Sequence, residues 1–311
     1  MPPALPLTRR RFVSSSLAVA TTLQLQQAAR VLGLSPATEI CELVPEQEVG
    51  PYYVADELLR SDIAEAQPGV PLTLNLIVLD LHTCRPISNA ALDIWHCNAL
   101  GLYSGFTAMN PMGPGGPPPG DRHRGDRFPG PPPGLDPQNP GNPPGPPEGF
   151  GPPPQNHPTD KLTFCRGIQI TGPDGGARFH TIFPGFYMGR TNHIHFKVRI
   201  GGHTAGHAYV EGHTSHIGQV FFPEDLTLKL MAEDPYTQHK IHRTTPAEDG
   251  VFSNQGGRLS IARLHPLNPA SPTSGLRADL VAAVDPTATP APVQRMGPGG
   301  PDRPPARSTT Y

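Results

Sequence analysis

Residues 72–80 read L-T-L-N-L-I-V-L-D. The run opens with apolar and polar residues in alternation and is rich in β-favouring side chains, so it reads as a strand with one face in a core. Working outward, residues 91–97 form a second strand, after a turn region holding Pro86, Ser88 and Asn89. Further strands are expected at residues 165–171, 177–183, 193–200, 218–222 and 258–264. The first two of these are joined by G-P-D-G-G, which reads as a hairpin turn because Gly accepts the positive φ that tight turns need. One helix is expected, over residues 223–233, where Pro, Glu and Asp open a short apolar-spaced run. About seven strands, little helix and long Gly/Pro loops point to an all-β protein, an antiparallel β-sandwich.

Of the 311 residues, 43 are Pro and 34 are Gly. Residues 110–158 hold 19 of the prolines and 11 of the glycines. They have too little apolar content for a core and fall between two strand-rich halves of one sheet system, so they read as a disordered insertion within a single domain. That domain is expected to span residues 36–268, with a disordered Pro-rich tail at 269–311. With 24 Lys plus Arg against 26 Asp plus Glu, no polybasic field exists to hold nucleic acid or an anionic membrane. Residues 8–13, T-R-R-R-F-V, precede an uncharged stretch with eight Ser, Thr or Gln, too polar for a membrane span. That pattern suits a twin-arginine export signal within residues 1–35, which predicts a periplasmic or extracellular protein that is not integral to the membrane. Cys41, Cys84, Cys97 and Cys165 would then meet an oxidising compartment, where up to two disulfides in any of three full pairings are open to them.

The densest group of chemically capable side chains is F-P-G-F-Y-M-G-R-T-N-H-I-H-F-K-V, Phe183 to Val198. In a strand, side chains alternate faces, so His193 and His195 project together and could share one metal ion. In a chain with 14 His, they could equally be two polar residues on a solvated face. His203, His207, His213 and His216 fall in a Gly/Thr-rich stretch and are expected in solvent, and Trp95 in the core.

Combined with D-I-W-H-C-N-A-L-G-L-Y-S-G (Asp93 to Gly105), E-V-G-P-Y-Y-V near residue 50 and G-Q-V-F-F (Gly218 to Phe222), this cluster resembles the intradiol ring-cleavage dioxygenases, ferric-iron enzymes that include protocatechuate and catechol dioxygenases. The four segments occur in the family's order over residues 42–249, the insertion excepted. The resemblance implies one Fe(3+) per chain held by Tyr103, Tyr187, His193 and His195, with a hydroxide or water beside them. It also implies an Arg190 guanidinium over the aromatic substrate, where it can stabilise negative charge on the ring, and Gln219 as a neutral hydrogen-bonding group nearby. The expected substrates are a catechol and dioxygen, and the expected product is a muconate-type diacid. Two departures stand out. Only five residues separate Tyr187 from His193, implying a more open site, and the stretch before Leu72 is too short for the helical dimerisation segment common in the family. Other readings are a catalytically silent sandwich that binds aromatic compounds, and a copper or zinc protein using only the two histidines.

Overall fold

The computed structural model describes residues 41–55, 58–108 and 158–290. The export signal, all of the Pro/Gly insertion except Pro158, and residues 291–311 lie outside them. Eight strands are described: β1 (Pro71–Asp80), β2 (Ala91–Trp95), β3 (Arg166–Ile170), β4 (Gly176–Ile182), β5 (His193–Ala205), β6 (Ala208–Phe221), β7 (Arg263–Pro266) and β8 (Leu276–Val284). They form two four-stranded sheets, β4-β1-β8-β7 and β3-β2-β5-β6. Each strand pair is antiparallel except β1 with β8, which runs parallel. The fold is an all-β sandwich.

Alternation fills its core. Leu72, Leu74, Leu76 and Val78 of β1 point inward, as do Leu276, Ala278, Leu280, Ala282 and Val284 of β8. They meet Leu92 and Ile94 of β2, Ile194, Phe196 and Val198 of β5, and Val220 of β6 from the other sheet. Because Ile194, Phe196 and Val198 face inward, the period of two sends His193, His195 and Lys197 to the outer face of β5. The hydrophobic pattern of β5 therefore decides where the chemistry sits.

Several expectations are corrected. The domain does not end at residue 268, since β8 lies between β1 and β7 and is almost wholly buried. The G-P-D-G-G segment is not a hairpin turn. Gly175 donates to Gly172 O at 2.9 Å, but the turn hands the chain from β3 in one sheet to β4 in the other. Residues 258–264 split into a 3-10 turn, Gly257–Ser260, and the start of β7. The stretch holding His203, His207, His213 and His216 is the long β5–β6 hairpin, and His216 is fully buried, with Nδ1 2.8 Å from Glu46 Oε1. One helix, α1 (Glu224–Met231), stands where expected, and a short unforeseen one, α2 (Gly250–Asn254), is capped by Asp249. Of the four cysteines, Cys41 and Cys84 form a disulfide, while Cys97 and Cys165 are buried thiols.

Candidate active site

The outer face of the β3-β2-β5-β6 sheet carries a second, aromatic core: Tyr52, Trp95, Cys97, Tyr103, Phe106 and Tyr187. His195 pairs with Trp95 on one side and Gln219 on the other, and its ring stacks flat on Trp95, 4.9 Å between centroids at 3°. Trp95 is thus buried, as expected, and also backs a site residue. From the other side Gly50 closes in, since a Cβ there would stand 3.1 Å from His195 Cε1. With φ at +70° as well, the Gly of G-P-Y-Y is required twice over.

The structure brings Tyr103, Tyr187, His193 and His195 together, each at most 2% exposed. His193 Nε2 and His195 Nε2 are 3.1 Å apart, the two tyrosine rings 5.8 Å, and Tyr187 and His193 5.6 Å. His193 Nδ1 lies 2.6 Å from Thr191 O, a group that only accepts, so Nδ1 carries the proton and the Nε2 lone pair faces the site. Burial, then Arg190, pushes His193 well below its usual value; burial, then His193 and Arg190, does so for His195. Both imidazoles are neutral.

The tyrosines have the opposite difficulty. Burial, then the neighbouring Tyr187, raises the Tyr103 phenol well above its usual value, and burial raises Tyr187 as well. The Tyr103 hydroxyl is buried with no hydrogen-bond partner among the described residues. A buried polar atom without a partner is costly, and a hard trivalent cation satisfies it while favouring the phenolate. The four side chains therefore fit a ferric ion: two phenol oxygens that such a cation would hold as hard phenolates converge with two neutral nitrogens, one oxygen otherwise unpartnered.

Arg190 and Gln219 join this cluster. Arg190 Nη1 is 3.4 Å from the Tyr187 hydroxyl, and Nη2 donates to Gln219 Oε1. Although burial works against its charge, Tyr187, Asp249 and Glu48 keep Arg190 protonated. Gln219 Nε2 in turn donates to Glu48 O at 3.0 Å. Arg190 reaches this position by a tight turn in which its own N–H donates to Tyr187 O at 3.1 Å. That turn accommodates the short spacing between Tyr187 and His193, and leaves Met188 half exposed at its tip.

Other residues at the site were not singled out from sequence. Tyr52 stacks on Tyr103 at 4.5 Å and meets Tyr187 edge-on. Arg166 donates to Tyr52 O and Ser104 O, both at 2.7 Å, and so ties the G-P-Y-Y segment to the segment holding Tyr103. Tyr52 stood in a quoted motif but had no stated role. Glu48, 3.5 Å from Arg190, opened the same quoted motif, also with no stated role. Asp249 and Arg166 carried no local signal at all.

No family model and no curated protein matches this chain. Solved structures do. An intradiol ring-cleavage dioxygenase from Tetranychus urticae is 30% identical over 80% of this chain and 98% of its own, with a TM-score of 0.58. A second solved dioxygenase is also 30% identical, over 81% of this chain and 98% of its own, with a TM-score of 0.60. Nearly the full length of both relatives is thus reproduced, and the motifs that carry the likeness converge on one buried face. This chain belongs to the intradiol ring-cleavage dioxygenases.

Proposed function

We propose that this protein cleaves the ring of a catechol between its two hydroxyl-bearing carbons with dioxygen, yielding a muconate-type diacid, at a ferric ion held by Tyr103, Tyr187, His193 and His195. The observation that carries the reading is the convergence of two imidazole Nε2 atoms, 3.1 Å apart, with a buried Tyr103 hydroxyl that has no partner. A ferric ion in such a site would supply Lewis acidity that eases loss of both catechol protons, so that the substrate is held as the dianion, whose electron-rich ring can react with dioxygen.

The chain's own residues do the rest. If a bound ferric ion holds Tyr187 as the phenolate, its Oη would accept a proton from an incoming catechol hydroxyl, and Arg190 Nη1 beside it favours the phenolate before that transfer. With Nη1 toward Tyr187 and Nη2 toward Gln219, Arg190 would be a preorganised donor for charge that develops on the ring during reaction. Gln219, held by Arg190 and Glu48 O, contributes polarity without charge. The aromatic wall of Tyr52, Trp95 and Phe106 keeps the site dry, which strengthens every one of these interactions.

A copper or zinc site built on the two histidines alone is poorly supported, because no third His, Cys, Asp or Glu joins them to make a metal-binding group among the described residues. A silent binding module has no use for a buried, unpaired phenol, which only costs stability. We further read the chain as an exported protein, from the twin-arginine pattern at its start and from the Cys41–Cys84 disulfide, a bond that persists in oxidising compartments.

The test is direct. Tyrosinate on ferric iron absorbs visible light, so the purified protein should be red-brown, contain about one iron per chain and convert catechol to a ring-opened diacid. A colourless zinc protein, or an aldehyde product from cleavage beside the hydroxyls, would overturn the reading. Export is tested separately: replacing Arg9 and Arg10 by Lys should hold the protein in the cytoplasm.

A further inference from the structure

The Arg190 side chain is gripped by a residue 59 positions away in sequence. Arg190 Nε lies 3.1 Å from both carboxylate oxygens of Asp249, whose side chain is fully buried. Nη1 and Nη2 are left for the Tyr187 hydroxyl, Glu48 and Gln219. The two carboxylates are not equivalent. Glu48 makes one contact at 3.5 Å, whereas Asp249 makes a forked one and is itself immobilised.

That immobilisation comes from the start of α2. Asp249 Oδ1 accepts from Val251 N at 2.8 Å and Phe252 N at 3.2 Å, and Oδ2 accepts from Thr191 N at 2.9 Å. One carboxylate thus joins the helix cap, the backbone just before His193, and the guanidinium. A second tie, Gly189 N to Thr244 Oγ1 at 3.1 Å, holds the segment just before α2 to the Tyr187–Arg190 turn. A guanidinium bound at Nε cannot rotate about its terminal torsion without breaking that bond, so its two Nη atoms stay aimed in one direction.

We propose that Asp249 is a positioning residue for ring cleavage: it fixes the direction of the Arg190 guanidinium so that Nη1 and Nη2 stay toward Tyr187 and Gln219. This rests on the ring-cleavage reading above. Asp249 touches no reacting atom and acts through Arg190. Its role differs from that of a helix cap alone, and the two can be separated by substitution.

Asp249→Asn and Asp249→Ser both retain a capping oxygen for α2 but lack the carboxylate that pairs with Arg190. Both variants should keep full iron content, the visible band, and the shift of that band when catechol is added. Their kcat should fall about 10- to 100-fold with KM little changed, the scale on which losing the partner of a reacting group acts. In the Arg190→Leu background, Asp249→Ser should cause no further loss of turnover, because its effect passes through the missing guanidinium. Unchanged kcat in Asp249→Ser, or a loss that adds to that of Arg190→Leu, would overturn the proposal. Failure of both single variants to fold or to hold iron would assign Asp249 to the scaffold and overturn it as well. A wild-type protein that holds iron yet opens no catechol ring would instead refute the underlying reading, before any variant is made.

Discussion

On the proposed function, Arg190 separates ring cleavage from mere catechol binding, because the charge it would stabilise exists only during reaction. Arg190→Leu should still bind catechol with a colour shift yet lose about 10²- to 10³-fold in turnover, measured by steady-state kinetics. Lys would be a poor substitute, since a point charge offers neither the planar face nor the separate Nε that Asp249 holds. His96 gives a pH signature of its own. Fully buried, with ring nitrogens 2.8 Å from Cys97 O and Thr181 Oγ1, it is pushed down to about 4, chiefly by burial. A lowered folded-state value means that its contribution is present above the ordinary histidine range and is lost as pH falls from about 6.5 toward 4. Asp93 works the other way: burial raises it to about 6, so its contribution is lost as pH rises from about 4 to 6. In metal-free protein His193, His195 and His239 act in the same sense as His96, so four groups outweigh one. The unfolding free energy of metal-free protein should therefore drop between pH 7 and 5 in urea titrations, and His96→Gln should flatten that drop by up to about 1.4 kcal/mol per pH unit. At this scale the sequence was informative where residues sit in motifs, as Tyr103 and His193 do. It was silent on Asp249, whose meaning depends on a partner 59 residues away.

The elements show why β8 escaped a reading of local pattern. Leu276–Val284 contains three alanines, which have little strand preference, and Pro269, Pro272 and Pro286 nearby make it resemble a Pro-rich tail. What makes it a strand is its neighbours: nine residues of β1 pair with it in parallel, and β7 covers its other edge. Leu276→Ala should accordingly cost about 2 to 5 kcal/mol in urea unfolding, as for a core leucine; a change near zero would restore the tail reading. The G-P-D-G-G segment shows the complementary limit. Its turn chemistry was legible, since Gly175 has φ at +72° and no room for a side chain, but a turn does not say whether the strands around it share a sheet. In β5, by contrast, Ile194, Phe196 and Val198 alternate with His193, His195 and Lys197 in the sequence itself, and once the opposing sheet covered the apolar three the histidines had only the other face to occupy.

For the molecule as a whole, the insertion leaves and re-enters at one point. Asp160 accepts from Gly105 N and Thr107 N, both at 2.9 Å, and from Thr107 Oγ1 at 2.7 Å, while Thr159 N donates to Gly105 O. The chain on either side is therefore already closed, and the cost of joining it by a short bridge is small. Replacing residues 112–155 by a few Gly and Ser should leave the melting temperature and the iron content nearly unchanged; a large loss of either would show that the segment packs on the site. Across the molecule, the amino-acid sequence by itself determined the strand-rich class, the family and the four candidate ligands, because these rest on short-range alternation and on motifs whose members lie within a few residues of one another. Only the tertiary structure decided the place of β8, the pairing of Cys41 with Cys84 and the grip of Asp249 on Arg190. Each is a contact between distant segments, created when two sheets close over a shared core, and local pattern carries no record of which distant partner arrives.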